Sequence, residues 1–257
     1  MTARPPKAGT PIVFWRGELC EPVPAKRSVF GLFILGLIGT ALVFVSGCRT
    51  TPVISPAAPA DARRAIERFN AQSPVGFSAL NAVLIEFKPH WWWPTVRFTA
   101  LGASAVDRQA GSFTVTGLTP FGMTLFDISG TNGLVVGRLA IPAVRNPDDF
   151  IRAMGKDIAR AYLDPVPPPD AGIVSVANGK ILMRQTLDNQ TVDYVFAGTE
   201  PRLVEKRFRE GRRTVCEIRY SEYRAEGAHL FPGRIVLRNF RPGYRLTIRL
   251  TEVRSQR

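Results

Sequence analysis

Cysteine and histidine are scarce in this chain, with three and two copies among 257 residues. Three cysteines are too few for a disulfide-built scaffold. Two histidines argue against a multi-histidine metal site or catalytic centre. The sequence also lacks a phosphate-binding loop, a serine-hydrolase elbow, a zinc-protease helix and a Cys-x-x-Cys pair. We therefore expect a protein that is not an enzyme and holds no metal, and a hydrophobic content of 45% excludes a mainly disordered chain.

The N-terminal region has the three parts of an export signal. Lys26 and Arg27 form a basic cluster, and the run that follows has no charge until Arg49. Small residues precede Cys48 in Val-Ser-Gly-Cys, which looks like a bacterial lipobox. This pattern predicts a signal peptide over residues 1–47 and diacylglyceryl and acyl chains on Cys48, with no other cofactor. The alternative is a retained membrane anchor, because the apolar run is about long enough to span a bilayer.

Cleavage before Cys48 leaves a tether and a single domain. Residues 48–60 are polar and rich in Pro and Ala, which is typical of a flexible tether, and residues 61–257 form the predicted domain. Cys216 is then the one cysteine that is neither removed nor acylated. It lies in a strand-like segment, so we predict a buried cysteine that packs as a small hydrophobe.

The domain is predicted to be mainly β, with about eleven or twelve strands. A helix is expected from Asp61, a possible N-cap, to Gln72. Short β-like runs follow with Gly, Pro or Asn between them, which favours an antiparallel meander. A second helix is expected from Pro147, with Asn146 as its N-cap. Its apolar stripe comprises Phe150, Ile151, Met154, Ile158, Ala161 and Tyr162.

Three consecutive tryptophans, Trp91, Trp92 and Trp93, stand between Pro89 and Pro94. The prolines exclude a central strand, so this segment is predicted to be a loop or strand edge. Tryptophan favours membrane interfaces, which makes the three rings candidates for membrane or lipid contact. The alternative is that they cover the rim of the core.

Most of the net charge of +13 lies in the last quarter of the chain. Arg219, Arg238, Arg245 and Arg249 take outward positions on alternating strands, which indicates a solvated sheet face. The alternative is attraction to an anionic membrane surface. We expect no nucleic-acid partner, because no binding motif is present and the chain is predicted to be exported.

The order of elements resembles the LolA/LolB superfamily over about residues 60–254. The local matches are Gly-Leu-Thr-Pro-Phe-Gly at 117–122 and Phe-Pro-Gly-Arg-Ile at 231–235. The resemblance implies an incomplete antiparallel β-barrel of about eleven strands with a helical lid and a cavity for acyl chains. LolB also has a protruding hydrophobic loop. No Leu-tipped loop is evident here at the corresponding place, and Trp91–Trp93 are candidates for that part.

The resemblance and the lipobox together give a functional expectation. The protein would be a monomeric lipoprotein of a Gram-negative outer membrane, anchored by lipid and facing the periplasm, because Arg49 follows Cys48 in place of the aspartate that the family's sorting rule requires for inner-membrane retention. It would bind acyl chains of lipids or lipoproteins in trafficking, with a soluble periplasmic carrier as a possible partner. The alternatives are an envelope lipoprotein that binds a protein partner and, last, a hydrolase.

Overall fold

A computed structural model describes residues 59–256 except 89–91, 142–143 and 145. The predicted signal peptide, Cys48 and most of the tether lie outside the described residues. The helices are α1 (Pro59–Ala71) and α2 (Pro147–Tyr162). The strands are β1 (Gly76–Phe87), β2 (Val96–Asp107), β3 (Ser112–Leu118), β4 (Thr124–Thr131), β5 (Leu134–Leu139), β6 (Gly172–Ala177), β7 (Lys180–Leu187), β8 (Gln190–Ala197), β9 (Arg202–Glu210), β10 (Arg213–Glu226), β11 (His229–Asn239) and β12 (Tyr244–Gln256).

All twelve strands belong to one antiparallel sheet that does not close. Its order is β5-β4-β3-β2-β1-β12-β11-β10-β9-β8-β7-β6, so sequence neighbours pair as hairpins and β12 returns beside β1. The register of β1 and β12 runs from Gly76 opposite Gln256 to Phe87 opposite Tyr244. The predicted fold class, a mainly β incomplete barrel with a helical lid, is confirmed.

The hydrophobic core lies on the inner face of this sheet, beneath the two helices. Strand β12 shows the alternation that was predicted: Tyr244, Leu246, Ile248 and Leu250 are buried and the residues between them are not. Strands β1 and β11 alternate in the same way. A sheet with one covered and one wet face requires this pattern.

The two helices begin close to where the sequence predicts. Helix α1 starts at Pro59, so Asp61 lies in its first turn rather than at the N-cap. Asn146 does occupy the N-cap of α2, but its side chain makes no capping bond to the backbone and instead donates to the Asp149 carboxylate. The six residues of the predicted apolar stripe are all buried. Among the described residues, neither helix is long and apolar enough to cross a membrane.

Two glycines inside strands make room for aromatic rings on the inner face. Gly117 lies opposite Phe126, and Gly130 lies opposite Phe113. A Cβ atom at Gly117 would stand 2.3 Å from the Phe126 ring, and one at Gly130 would stand 2.2 Å from the Phe113 ring. Each ring therefore lies over the glycine of the neighbouring strand, and a larger residue there would displace it.

The outward arginines of the C-terminal strands lie among glutamates of neighbouring strands. Arg245 is 3.8 Å from Glu86, which also accepts a 2.9 Å hydrogen bond from Arg97. Arg249 approaches Glu222 at 3.9 Å, and Arg219 pairs with Glu217 at 2.5 Å, while Arg238 is exposed. The prediction of a solvated, charged sheet face is thus confirmed.

Candidate functional site

The inner face contains a small cavity between the C-terminal ends of the two helices and the sheet. Its volume is about 30 Å³, close to the space of a single water and far below that of a drug-sized ligand site. The lining side chains are mostly apolar or aromatic and include Phe69, Phe77, Leu203, Tyr223, Phe231 and Leu250. This cavity therefore has no room for a larger guest in this conformation, and such a guest has to displace the side chains or helix ends that line it.

Arg108, which follows β2, lines this cavity and joins the ends of both helices to the sheet. Its Nε donates a 2.8 Å hydrogen bond to the carbonyl oxygen of Tyr162, the last residue of α2. Its Nη1 donates to the carbonyl oxygen of Pro74, in the segment after α1. Burial lowers the pKa of Arg108 to about 10, so the guanidinium remains charged at neutral pH.

The other carbonyl groups at the end of α2 are bound by side chains of the sheet. The Lys206 ammonium donates to the carbonyl of Arg160 at 2.8 Å and also to that of Asp164. The Tyr220 hydroxyl donates to the carbonyl of Ala161 at 3.2 Å. A cation at a helix C-terminus is favourable because it satisfies the last carbonyls and complements the helix dipole. Lys206 is fully buried, and that burial lowers its pKa to about 8.

A second polar contact holds the middle of α2. The buried Asp157 carboxylate accepts 2.5 Å hydrogen bonds from Asn239 Nδ2 and from the Tyr244 hydroxyl. It also pairs with Arg160 at 2.8 Å, on the same helix. Because α2 has polar partners on the sheet at two levels, its position is specified by geometry as well as by apolar packing.

Helix α1 is held in a different way. Ala62, Ile66 and Phe69 are buried, and the Phe69 ring packs edge-on against Phe196 at 5.5 Å between centroids and against Tyr223 at 6.1 Å. Among the described residues, the α1 side chains hydrogen-bond only within the helix, as Arg64 does with Asp61. Apolar contacts therefore hold the helix itself on the inner face, while hydrogen bonds from the sheet to the carbonyl oxygens of Gln72 and Pro74 hold the segment that follows it.

Exposed apolar side chains gather at one end of the sheet. We call the loops between β1 and β2, between β3 and β4, and between β11 and β12 the rim; they are neighbours because those strands are adjacent in the sheet. The exposed fractions in the rim are 60% for Trp92, 46% for Trp93, 90% for Phe121, 63% for Met123 and 43% for Phe240. The cavity lies toward the opposite end, where β1 begins and β2 ends.

The predicted site residues are only partly described. Cys48 and Trp91 lie outside the described residues. Trp92 and Trp93 occupy the loop after β1, where Pro94 was expected to prevent a central strand. The turn between β3 and β4 carries the exposed apolar side chains of Phe121 and Met123.

Sequence reasoning missed Arg108, Lys206 and Asp157.

Cys216 is fully buried as predicted, and burial raises the pKa of its thiol to about 12. No group of three or more His, Cys, Asp or Glu side chains that could hold a metal ion occurs in the described part of the chain.

An open antiparallel sheet with a helix-covered apolar face defines this protein as a mainly β, lidded half-barrel. Within that class, the chain belongs to the family described as "Protein of unknown function (DUF3261)", whose model matches residues 99–252. No curated protein matches the chain.

Several solved structures are similar to the chain. A DUF1329 family protein from Desulfovibrio piger is 10% identical with a TM-score of 0.50, and the match covers 77% of this chain and 92% of that one. A LolA superfamily protein from Nitrosomonas europaea is 11% identical with a TM-score of 0.45, covering 76% and 94%. A putative outer membrane lipoprotein-sorting protein domain from Vibrio parahaemolyticus is 9% identical with a TM-score of 0.44, covering 76% and 90%. Identities this low concern the fold alone.

Proposed function

We propose that this protein is a lipid-anchored envelope lipoprotein that binds acyl chains of lipids or lipoproteins between the inner face of its sheet and α1. The observation that carries the proposal is the contrast between the helices over one apolar interior. Polar side chains of the sheet bind α2 itself, whereas α1 is held by apolar side chains, and hydrogen bonds from the sheet reach only the segment after it, at Gln72 and Pro74. A hydrocarbon chain can replace such contacts without leaving buried polar groups unsatisfied.

The free energies are compatible with this exchange. Lifting α1 exposes mainly Ile66 and Phe69, at a cost of about 1.5–3 kcal/mol for each side chain. An acyl chain that buries about ten methylene groups gains about 8 kcal/mol. The guest therefore offsets the loss of the helix contacts, and the 30 Å³ cavity marks the place at which the interior opens.

The rim provides the membrane-facing part of the proposed function. Trp92, Trp93 and Phe121 offer amphipathic or apolar rings of the kind that sit at the lipid headgroup level. Together with acyl chains on Cys48, these side chains would hold the protein on the periplasmic side of the outer membrane. Cys48→Ala should abolish incorporation of labelled fatty acid, and persistent labelling would contradict the anchor.

A test of acyl binding is lipid extraction of the purified full chain followed by mass spectrometry. Covalent chains on Cys48 stay with the protein during extraction, so the extract contains only non-covalent lipids. We expect acyl lipids to be recovered in it. Leu203→Trp, which fills the cavity, should reduce recovery at a stability cost of about 1–3 kcal/mol. Leu101→Trp makes the same change on the exposed outer face and should leave recovery unchanged. Lipid-free protein that also takes up no fatty acid contradicts the proposal.

One observation favours a second function, binding of a protein partner. Leu101 lies directly opposite Leu118 on the outer face of β2 and β3, and Leu80 lies nearby on β1. Their exposed fractions are 60%, 37% and 48%. An exposed apolar strip of this kind is typical of interaction surfaces. If Leu101→Trp abolished function while lipid recovery was unchanged, this second function would be favoured.

A further inference from the structure

We infer that the cavity below α1 and α2 selects acyl chains that end in an anionic group, which Arg108 and the Tyr162 hydroxyl bind. This inference rests on the proposed function, because it names the ligand class for the same interior. The shared chemistry is a carboxylate or phosphate attached to a long hydrocarbon chain. A fatty acid and an anionic phospholipid both fit it.

The first observation is the guanidinium of Arg108 at the cavity wall. An arginine has five N–H donors, and the bonds to the Tyr162 and Pro74 carbonyls use two of them. Its Cζ also lies 5.9 Å from the centre of the Phe77 ring, so the cation faces the apolar interior. No further acceptor for this group occurs among the described residues. The remaining donors are available to a carboxylate or a phosphate, both of which arginine can bind through two parallel hydrogen bonds.

The second observation is an unpartnered hydroxyl in the same wall. Tyr162 lines the cavity and is only 3% exposed, and its hydroxyl has no hydrogen-bond partner within the described part of the chain. A buried polar group without a partner is costly. By contrast, the hydroxyls of Tyr220 and Tyr223 in this wall donate to the carbonyls of Ala161 and Leu203. Tyr162 is therefore the tyrosine with a donor for a guest.

The third observation is the charge around the cavity. Lys206 interacts electrostatically with Arg108, Arg160 and Asp164. Arg108 also interacts with Asp164, and Asp157 pairs with Arg160. Three cations and two carboxylates leave one positive charge without a counterpart. An anionic head group near Arg108 would balance this charge in a region of low dielectric, while its chain follows the apolar lining.

The experiment uses the full chain in detergent micelles and photoactivatable probes. Palmitate and hexadecanol analogues form one pair, and phosphatidic acid and diacylglycerol analogues form the other. Labelling of the wild-type protein should be about tenfold higher for the acidic member of at least one pair. The pair that shows the preference identifies the source, a fatty acid or a phospholipid.

Variants separate head-group recognition from chain binding. Arg108→Gln and Tyr162→Phe should bring the acid-to-neutral labelling ratio toward one while labelling by the neutral probe persists. Tyr162→Phe removes a single oxygen atom, so it remains informative if Arg108→Gln does not fold. Arg212→Gln, in the exposed β9–β10 turn, is the control and should keep the wild-type ratio.

Two results overturn the inference in distinguishable ways. Equal labelling of the wild-type protein by acidic and neutral probes in both pairs overturns the anionic preference and leaves acyl binding intact. No labelling by any probe overturns the proposed function and the inference with it. A wild-type ratio that is unchanged in both Arg108→Gln and Tyr162→Phe overturns the assignment of these two residues.

Discussion

Two aspartates of α2 form the same i,i+3 pair with an arginine but in different surroundings. The Asp157 side chain is fully buried beside Arg160, whereas the side chains of Asp149 and Arg152 are 60% and 67% exposed. Exposed pairs contribute little because water already solvates both charges. Removing one member of a buried pair leaves the other charge without compensation.

We therefore expect Asp157→Ala to lower the free energy of unfolding by about 3–5 kcal/mol. Asp149→Ala, the matched control on the same helix, should change it by less than about 1 kcal/mol. Urea unfolding monitored by circular dichroism measures both. Similar losses for the two variants would show that the Asp157 contacts with Asn239 and Tyr244 do not hold the helix.

Single residues differ in how far the sequence reveals their role. Cys216 was predictable as a buried residue, because it stands in a strand pattern and has no partner cysteine. Lys206 was not, because it lies among Glu205, Arg207 and Arg209 in a strand that looks solvated. Lys206 is buried because the end of α2, which lies more than 40 residues earlier in the sequence, packs against β9. The hydrogen bond from Lys206 to the Asp164 carbonyl shows this contact.

At the scale of elements, the two helices that cover the inner face are attached to it by different kinds of contact. Helix α2 is held through its last carbonyls and through Asp157. Helix α1 is held by three apolar side chains, and the side-chain oxygen of Asn70 on this helix is buried without a hydrogen-bond partner among the described residues. Elements with few specific contacts open at lower free energy than the strands of the core.

Hydrogen exchange tests this difference. Amides of α1 should exchange much faster than those of α2, because no α1 side chain in the described part of the chain is hydrogen-bonded to the sheet, and the bonds at Gln72 and Pro74 lie after the helix. The measurement is mass-spectrometric exchange on peptides that cover each helix, with peptides from β11 and β12 as the protected reference. Equal protection of α1 and α2 would contradict a lid formed by α1.

The rim makes a prediction about the membrane. Apart from Trp15 in the predicted signal peptide, every tryptophan of the chain lies at positions 91–93. If these rings lie at the membrane interface as proposed, fluorescence of the processed protein in liposomes should be quenched by brominated lipids. Phe121→Ser should reduce the quenching, since it removes the most exposed apolar side chain of the rim.

A control from the other end of the sheet makes this test specific. Leu134 is 77% exposed at the turn between β4 and β5, away from the rim. Leu134→Ser should leave quenching unchanged. Fluorescence that does not respond to brominated lipids would rule out contact between the tryptophans and the membrane.

Most elements could be predicted because their patterns are local. The alternation in β12 and the apolar stripe of α2 each follow from the spacing of residues within one segment. The roles of Gly117 and Gly130 could not be predicted, because each makes room for a ring on the neighbouring strand. The exposed tip at Phe121 was missed for a related reason: exposure depends on what the rest of the fold leaves uncovered.

At the scale of the whole molecule, all five tyrosines are part of the interior. Burial raises the pKa of Tyr162, Tyr194, Tyr220, Tyr223 and Tyr244 above the usual value. Above pH about 10, the unfolded chain loses tyrosine protons that the folded chain keeps, so stability falls as pH rises. Cys216 acts in the same direction above pH about 9. Lys206 acts in the opposite direction between pH about 8 and 10.5, where the unfolded chain holds the extra proton.

Burial also lowers the pKa of Arg108 to about 10, so Arg108 acts in the same direction as Lys206 above that pH. The five tyrosines and Cys216 outnumber these two groups, so we expect net loss of stability above pH about 10. Tyrosinate should form in one cooperative step that coincides with the loss of circular dichroism. A spectrophotometric titration combined with circular dichroism measures both. Gradual ionisation of tyrosines in a chain that remains folded would contradict their burial in the core.

The closed state of the interior was beyond what the sequence could predict. An apolar inner face and a covering helix follow from residue patterns, but the cavity volume depends on how Phe69, Phe77 and Phe231 pack together. Acyl binding therefore requires α1 to move. The resemblance to an acyl-carrying family does not imply that a helix has to move before an acyl chain can bind.

The most direct test is to map where an acyl chain binds. The full chain is cross-linked to a photoactivatable palmitate, digested and analysed by mass spectrometry. We expect the modified residues to be those of the inner face, in particular Leu203, Tyr223 and Phe231. Modification confined to the outer face or to the rim would contradict acyl binding beneath α1.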